Sequence, residues 1–498
     1  MYEGWNRWQR PAIVAASVVA VAGLWLTGDR SAGNLLFVVL SVAAAAAVAW
    51  LTPSRPAAAF GILFLVASLS RATISTQIGN MRLEQPAIAA GFAALLLARP
   101  RIDLGRFRQY WPIGAAFGLY LACLTVSSLL FAADRADSLR MTFWTGLSMA
   151  GGVLALLLLA RSNTRATEWI CLSGYVQAIP AFVLAILFFS LGPILIAGPT
   201  PAPGVQDPLG VLPKVFSLSW EANIYAALLA ALTPIGINRL LSGNRLSDKV
   251  LVPIMIAALA LGVTRGAYLG LIAGLAVYVV LAAAPRRQWN RQTLRHAGAW
   301  GAVVAASLGA GLVLTGLLLA GPRPPTNPLD FTKPNWGRGG PSATTPGPGG
   351  GDLPGPADTI GFRLERVPIA LADMPDSLIV GLGANSFGQR HADPSSNGAP
   401  DHISILAVAA PYEAGILGAA GLGIGFLLVL LALFKATRRL ADRGAVAAYA
   451  GAITCLLVAY EATNALNFSF IWLLVGAGLA AAIELAGPSP AGEPAPAG

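Results

Sequence analysis

Residues 248–284 read DKVLVPIMIAALALGVTRGAYLGLIAGLAVYVVLAAA, and between Val250 and Ala284 the only charged residue is Arg265. The two apolar runs, near 248–263 and 266–284, predict two helices that cross a hydrocarbon layer and turn back at Gly262-Val263-Thr264-Arg265. A crossing helix needs about 20 apolar residues, and about 17 is tolerable. The same pattern recurs along the chain, near 11–27, 34–51, 57–70, 86–98, 111–131, 141–160, 168–191, 222–237, 298–320, 413–434, 444–463 and 466–486. The expected fold class is therefore all-α: a polytopic transmembrane bundle of about 12–14 spans with one large external loop. The candidates at 57–70 and 86–98 are short, so each is either tilted, re-entrant or half of one broken element.

Composition agrees. Of 498 residues, 56% are hydrophobic and 11% charged, whereas soluble domains are nearer a quarter charged. The net charge of +10 does not point to nucleic acid. The cations sit in short clusters between apolar segments: Arg99, Arg101, Arg106 and Arg108; Arg161 and Arg165; Arg239, Arg245 and Lys249; Arg286, Arg287, Arg291 and Arg295; Lys435, Arg438, Arg439 and Arg443. Strict alternation of the spans puts all five clusters on one side. The positive-inside rule makes that side cytoplasmic, with both termini there. Arg7 and Arg10 precede the first apolar run without a small-residue cleavage site, so that run reads as a retained helix. Cys123, Cys171 and Cys455 fall inside apolar segments in an odd number, which argues against disulfides and metal ligation.

The expected organisation is an N-terminal bundle over 1–320, an external loop over 321–404, C-terminal helices over 405–486 and a Pro/Ala tail over 487–498. Within the loop, 321–356 is too rich in Pro and Gly to pack a core and reads as mobile. Phe362–Leu371 reads as a short amphipathic helix and Gly381–Ser386 as a turn.

Candidate chemistry gathers on the external side. Arg265 beside hydrocarbon costs about 2.5 kcal/mol or more unless it snorkels or is paired, and its planar fork suits phosphate oxygens. A snorkelling anchor is the competing reading. Arg363 and Arg366 share a helical face and complete a cationic clamp with Arg265, unless they merely line a solvated loop. Lys214 is either a further phosphate contact or an interface anchor. Glu221 and Asn223 open a span, where capping is the alternative role. His402 ends the loop just before a span and is the expected general base. His296 falls in a cytoplasmic cluster and His391 in the loop segment expected to be mobile. No metal-ligand set and no phosphate-binding glycine loop followed by lysine is present in the sequence.

Three stretches resemble the O-antigen ligase and polymerase superfamily of membrane glycosyltransferases. The first is Leu259–Val280, with Thr264-Arg265-Gly266-Ala267 where the family has Ser-Arg-Gly-Ala. The second is Arg363 to Phe387, with Pro375 and then Gly381-Leu382-Gly383-Ala384-Asn385-Ser386-Phe387 matching Gly-x-Gly-x-x-x-Phe. The third is His402–Leu433, with Glu413-Ala414-Gly415-Ile416-Leu417-Gly418 matching Glu-x-Gly-x-x-Gly. A fourth, over Phe216–Pro234, aligns Asn223 with a family asparagine. Together they cover about a third of the chain. Ile403 replaces the asparagine that follows the family histidine, Val367 replaces a common tryptophan, and the step from His402 to Glu413 is longer by about two residues.

The resemblance implies an inverting glycosyl transfer, without metal or cofactor, from an undecaprenyl diphosphate-linked glycan at the outer face of a bacterial cytoplasmic membrane. Its acceptor is a glycan, lipid or protein hydroxyl, and its surroundings are membrane lipids. In that reading Arg265, Arg363, Arg366 and Lys214 hold the diphosphate, Arg265 and His402 are catalytic, and Glu221, Asn223 and Glu413 support them. Sixteen positions after Arg366 lies Leu382, so the arginine–glycine spacing of some polymerases is missed and a ligase is favoured. A secondary transporter is the rival from another class, although no internal repeat is visible.

Overall fold

The computed structural model describes residues 32–70, 73–76, 79–98, 104–160, 166–191, 205–206, 214–215, 217–219, 222–242, 246–262, 264–283, 298, 301–313, 358–391, 402–439 and 443–484. The span expected at 11–27, the arginine cluster at 286–295, the Pro/Gly-rich stretch 321–356 and the tail 487–498 lie outside these residues.

The first half of the bundle contains α1 (Ala32–Leu51), α2 (Pro56–Ser68), α3 (Glu84–Ala98), α4 (Trp111–Leu130), α5 (Arg135–Leu159) and α6 (Ala166–Leu191). It continues with α7 (Ala222–Ser242), α8 (Leu246–Leu261), α9 (Arg265–Ala283) and α10 (Gly301–Val313). Beyond the long connection come α11 (Asp358–Asp373), the short α12 (Ser386–Arg390), α13 (Leu406–Arg439), α14 (Arg443–Tyr460) and α15 (Ser469–Glu484). Among the described residues six helices are long and apolar enough to cross a membrane, and five more are apolar but shorter. The chain is an all-α bundle with the signature of a membrane protein.

Two features depart from the expectation. Two-stranded antiparallel hairpins pair β1 (Thr73–Thr76) with β2 (Gly79–Arg82) and β3 (Val205–Gln206) with β4 (Lys214–Val215). The first hairpin separates α2 from α3, so these short elements are two helices and not one broken one. Pro56 at the start of α2 and Pro112 at the start of α4 take positions where the missing N–H costs nothing.

Helices alternate between two ends of the bundle. At one end Arg239 on α7 donates to both carboxylate oxygens of Asp248 on α8, at 3.1 and 3.0 Å, and lies 3.9 Å from Glu168 on α6. At the other end Arg82 donates to the Asn467 carbonyl at 2.6 Å, and the Asp134 amide donates to Gln389 at 2.9 Å. The Ala407 amide there donates to Glu461 at 3.1 Å. Arg265, α11, α12 and the start of α13 belong to this second end, opposite the basic clusters at Arg239 and Lys249 and at Arg438 and Arg443.

Small residues set one close helix contact. Gly266, Gly270 and Gly274 form one stripe on α9. A Cβ on Gly270 would stand 2.5 Å from the Cys455 carbonyl on α14, and one on Gly274 would stand 2.5 Å from the Gly451 carbonyl. Such stripes bring backbones together where lipid supplies no hydrophobic drive between helices.

The second difference lies in α13. The sequence predicts a span starting near residue 413, but the helix begins seven residues earlier and breaks at Gly415, with φ 68° and ψ 176°. In an unbroken helix the Tyr412 and Glu413 carbonyls would accept from Ile416 and Leu417. Here they accept from Leu382 at 2.9 Å and Gly383 at 3.0 Å, while the Ile416 and Leu417 amides donate to Leu378 at 3.0 Å and Ile379 at 3.2 Å. Two helical bonds are thus replaced by four bonds to the loop after α11. Backbone away from water must find partners within the protein, and this loop provides them.

Candidate functional site

The loop that fills the break is built for the purpose. Gly381 and Gly383 have φ of +85° and +100°, and Asn385 has φ +57°, a region open to glycine and tolerated by asparagine. The turn expected at Gly381–Ser386 is present. The Ala384 amide donates to Ser128 Oγ at 3.2 Å, and Ser127 Oγ donates to the Glu413 carbonyl at 2.8 Å. The Asn385 amide donates to Glu413 Oε1 at 3.1 Å, and Asp137 accepts from Asn385 at 2.9 Å and Gln389 at 3.1 Å. Two motifs read separately in the sequence, Gly381–Phe387 and Glu413–Gly418, are thus one joint. Glu413 lies inside this joint, where its carboxyl group accepts from the amide of the turn residue Asn385.

Beside this joint lies a small apolar cluster of Ala370, Leu382, Phe387, Ile403, Ala409 and Tyr412. It binds α11, α12 and the residue after His402 to the start of α13. The helix expected at Phe362–Leu371 is α11. Its Arg366 and Ala370 are buried, while Leu364, Pro368 and Leu371 point the opposite way and are exposed. Arg363, Arg366, Ala370 and Asp373 follow one face at 3.6 residues per turn. Arg366 is therefore no solvated-loop residue.

Arg265 is exposed and is the first residue of α9. Thr264 before it donates to the Gly262 carbonyl at 2.8 Å and approaches the Ala222 carbonyl at 3.5 Å. This ties the turn to the start of α7, where Asn223 is half-buried. Gly266 abuts Ala462, next to Glu461, whose carboxylate caps α13 through Ala407. The connections run from Asn223 through Thr264-Arg265 and Glu461 to the segment that carries His402. Arg265 opens α9, so its guanidinium lies beside the free amides of the helix start. His402 is exposed, with Nε2 3.2 Å from Ser404 Oγ. Lys214 falls in β4, and its side chain, like Glu221, lies outside the described residues.

No protein-family model matches this chain, and no curated protein does.

His391 corrects the sequence reading. Composition places it in a mobile segment, but its Nε2 lies 2.6 Å from Asp373 Oδ2, and Tyr412 donates to the same oxygen at 2.7 Å. Its ring lies 4.8 Å from that of Phe387, and its amide donates to the Phe387 carbonyl at 2.8 Å. The sequence hides this pair because the partners lie 18 residues apart across two short helices. Burial alone would raise the Asp373 carboxyl. The hydrogen bonds from His391 and Tyr412, with the Arg390 charge nearby, outweigh it and hold the group below its ordinary range. A depressed carboxyl adds stability that is present above its unfolded value and lost as pH falls through the folded one. Acidification below about pH 4 is therefore expected to loosen α12 from α11. Amide exchange at Phe387–His391 should rise there in the wild type. In Asp373→Asn it should be already raised and flat with pH; parallel profiles would remove Asp373 as the cause.

A second buried polar group also escapes the sequence reading. Ser469 Oγ lies 3.1 Å from Glu84 Oε1 and 3.1 Å from Ser148 Oγ, and Ser148 donates to the Asn467 carbonyl at 2.9 Å. The Arg82 guanidinium lies 3.7 Å from the centroid of the Phe468 ring. The available signal is Arg82-Leu83-Glu84, two opposite charges at the head of an apolar run.

Proposed function

We propose that this protein is a membrane glycosyltransferase that moves a glycan from a polyprenyl diphosphate carrier, such as undecaprenyl diphosphate, to an acceptor hydroxyl. On this reading the reaction occurs at the end of the bundle that carries Arg265, and the basic clusters at the other end support taking that end as the outer face of a bacterial cytoplasmic membrane. One observation supports the reading above the rest: Thr264-Arg265, the Gly381–Phe387 loop and the His402–Gly415 segment, far apart in sequence, meet at a single end of the bundle.

On this reading the lipid tail lies among the helices, and Arg265, Arg363 and Arg366 receive the diphosphate. Their charge stabilises the leaving group as the glycosidic C–O bond breaks. A histidine of the same end takes the acceptor proton. The resemblance points to His402, and the structure adds His391, which packs on Phe387 of the same apolar cluster. A ligase that hands over a finished glycan is preferred to a polymerase.

The broken α13 is the observation that favours the transporter alternative, because transporters use broken helices to expose backbone groups to substrate. Here the groups freed at Gly415 are bonded to the 378–383 loop. The break is a joint in the protein, which favours the enzyme.

The test is transfer by the purified full-length protein in nanodiscs, from a polyprenyl diphosphate-linked glycan to a lipid or glycan acceptor. Formation of the glycosylated acceptor with release of polyprenyl diphosphate supports the proposal; substrate flux without bond formation would replace it with transport. Arginines carry the charge neutralisation, so EDTA is expected to leave the transfer rate unchanged. Loss of turnover on chelation, restored by Mg²⁺ or Mn²⁺, would overturn that assignment.

A further inference from the structure

We infer that His391, oriented by Asp373, is the proton acceptor in this transfer, an inference that rests on the glycosyl-transfer reading above. The pair has the geometry of a general base. His391 Nε2 is 2.6 Å from Asp373 Oδ2, and 32% of the histidine side chain remains open to solvent. Tyr412 donates to the same carboxylate oxygen at 2.7 Å, and Phe387 packs against the imidazole, so both partners are held in place. A carboxylate that accepts from Nε2–H fixes the tautomer with the lone pair on Nδ1 and stabilises the imidazolium that forms when Nδ1 takes a proton. Among the described residues no hydrogen bond occupies Nδ1. His402 is placed differently. Its side chain is exposed and its Nε2 lies 3.2 Å from the Ser404 hydroxyl, four residues before α13.

Position supports the assignment. Asp373 is the last residue of α11 and lies on the same face as Arg363 and Arg366. Seven residues of helix set Asp373 roughly 10 Å along the axis from Arg366, and His391 projects from there. One helix face thus carries the two arginines toward one end and the Asp373–His391 pair at the other. In the step itself, the acceptor oxygen bonds to the anomeric carbon while the carbon–oxygen bond to the diphosphate breaks. The electron pair leaves on the diphosphate oxygen, and the hydroxyl proton passes to Nδ1. Asp373 acts as a positioning residue and stays ionised.

The experiment compares wild type, His391→Gln, His391→Ala, Asp373→Asn and His402→Ala as full-length proteins in nanodiscs, with a polyprenyl diphosphate-linked glycan as donor. Glutamine can still donate to Asp373, so His391→Gln keeps the local fold but cannot take a proton. It should lose roughly 10²–10⁴-fold in kcat with donor KM unchanged, and the pH profile of its residual rate should differ from that of the wild type. Added imidazole should partly restore His391→Ala. Asp373→Asn should lower kcat more than it changes KM and shift the pH profile. His402→Ala tests the competing assignment of the base. If His391→Gln transfers normally while His402→Ala does not, the base is His402 and only this inference falls. It falls too if His391→Gln is slow but keeps the wild-type pH dependence and imidazole rescues nothing, because the pair is then a structural latch. If the wild type forms no glycosidic bond at all, the glycosyl-transfer reading falls and the inference with it.

Discussion

Under the proposed glycosyl transfer, Arg265→Lys is expected to insert and fold like the wild type and to transfer glycan about 10²–10³-fold more slowly, the scale seen when one well-placed donor to a developing charge is removed. Lysine keeps the positive charge and can snorkel as arginine does, so an anchoring role would survive the change. What lysine lacks is the rigid fork that binds two oxygens at once. The neighbourhood of Arg265 permits such a clean comparison. The side chain is exposed at the first turn of α9, and the turn is held by Thr264 and by the contact of Gly266 with Ala462. None of these contacts uses the guanidinium, so folding should be indifferent to its replacement. The measurement is the single-turnover rate at saturating donor, beside thermal unfolding in the same nanodiscs. Near-normal transfer would return Arg265 to an interface anchor and leave Arg363 and Arg366 as the clamp.

The helices are legible in the sequence because hydropathy is a property of segments. From α1 to α9 the observed boundaries lie mostly within about three residues of the apolar runs, though α5 starts six residues earlier and α7 ends five later. The amphipathic α11 and the turn at Gly381–Ser386 are legible for the same local reason. What escapes is non-local. Nothing in residues 406–439 signals a break, because apolar residues continue on both sides of Gly415, and a glycine inside an apolar helix is as often a packing site. Gly270 and Gly274 are packing sites, and they look the same in the sequence. The break is explained only by Leu378–Gly383, which supplies the missing partners from thirty-odd residues upstream. His391 is misplaced for a related reason: it adjoins a Gly/Pro/Ser-rich stretch, and composition cannot show that Asp373 and Tyr412 reach it. The pairing of the second quoted motif with the third is likewise visible only in the fold.

That pairing makes Gly415 the position where a single methyl group should do the most damage. With φ 68° and ψ 176° it occupies a region essentially reserved for glycine, where other residues cost about 1–3 kcal/mol. A Cβ there would also collide with the Ile379 carbonyl. Gly415→Ala has a ready escape, which is to straighten α13. The Tyr412 and Glu413 carbonyls would then take back Ile416 and Leu417, and the 378–383 loop would lose all four of its backbone bonds to the helix. The bundle should survive, because α13 packs on α4 along its length and a continuous helix is itself stable. The loop should not stay docked, and with it would go the register of α11 and α12, and hence of Arg366 and His391. Transfer is expected to fall to background. The loop's release can be read without activity, because Leu382 is buried in the small cluster. The Leu382→Cys thiol should resist a membrane-impermeant maleimide when Gly415 is intact and react with it when Gly415→Ala is added. A thiol still protected in the double variant, together with a normal transfer rate in Gly415→Ala alone, would show that the joint tolerates a side chain, and the break at Gly415 would then have no part in holding the site.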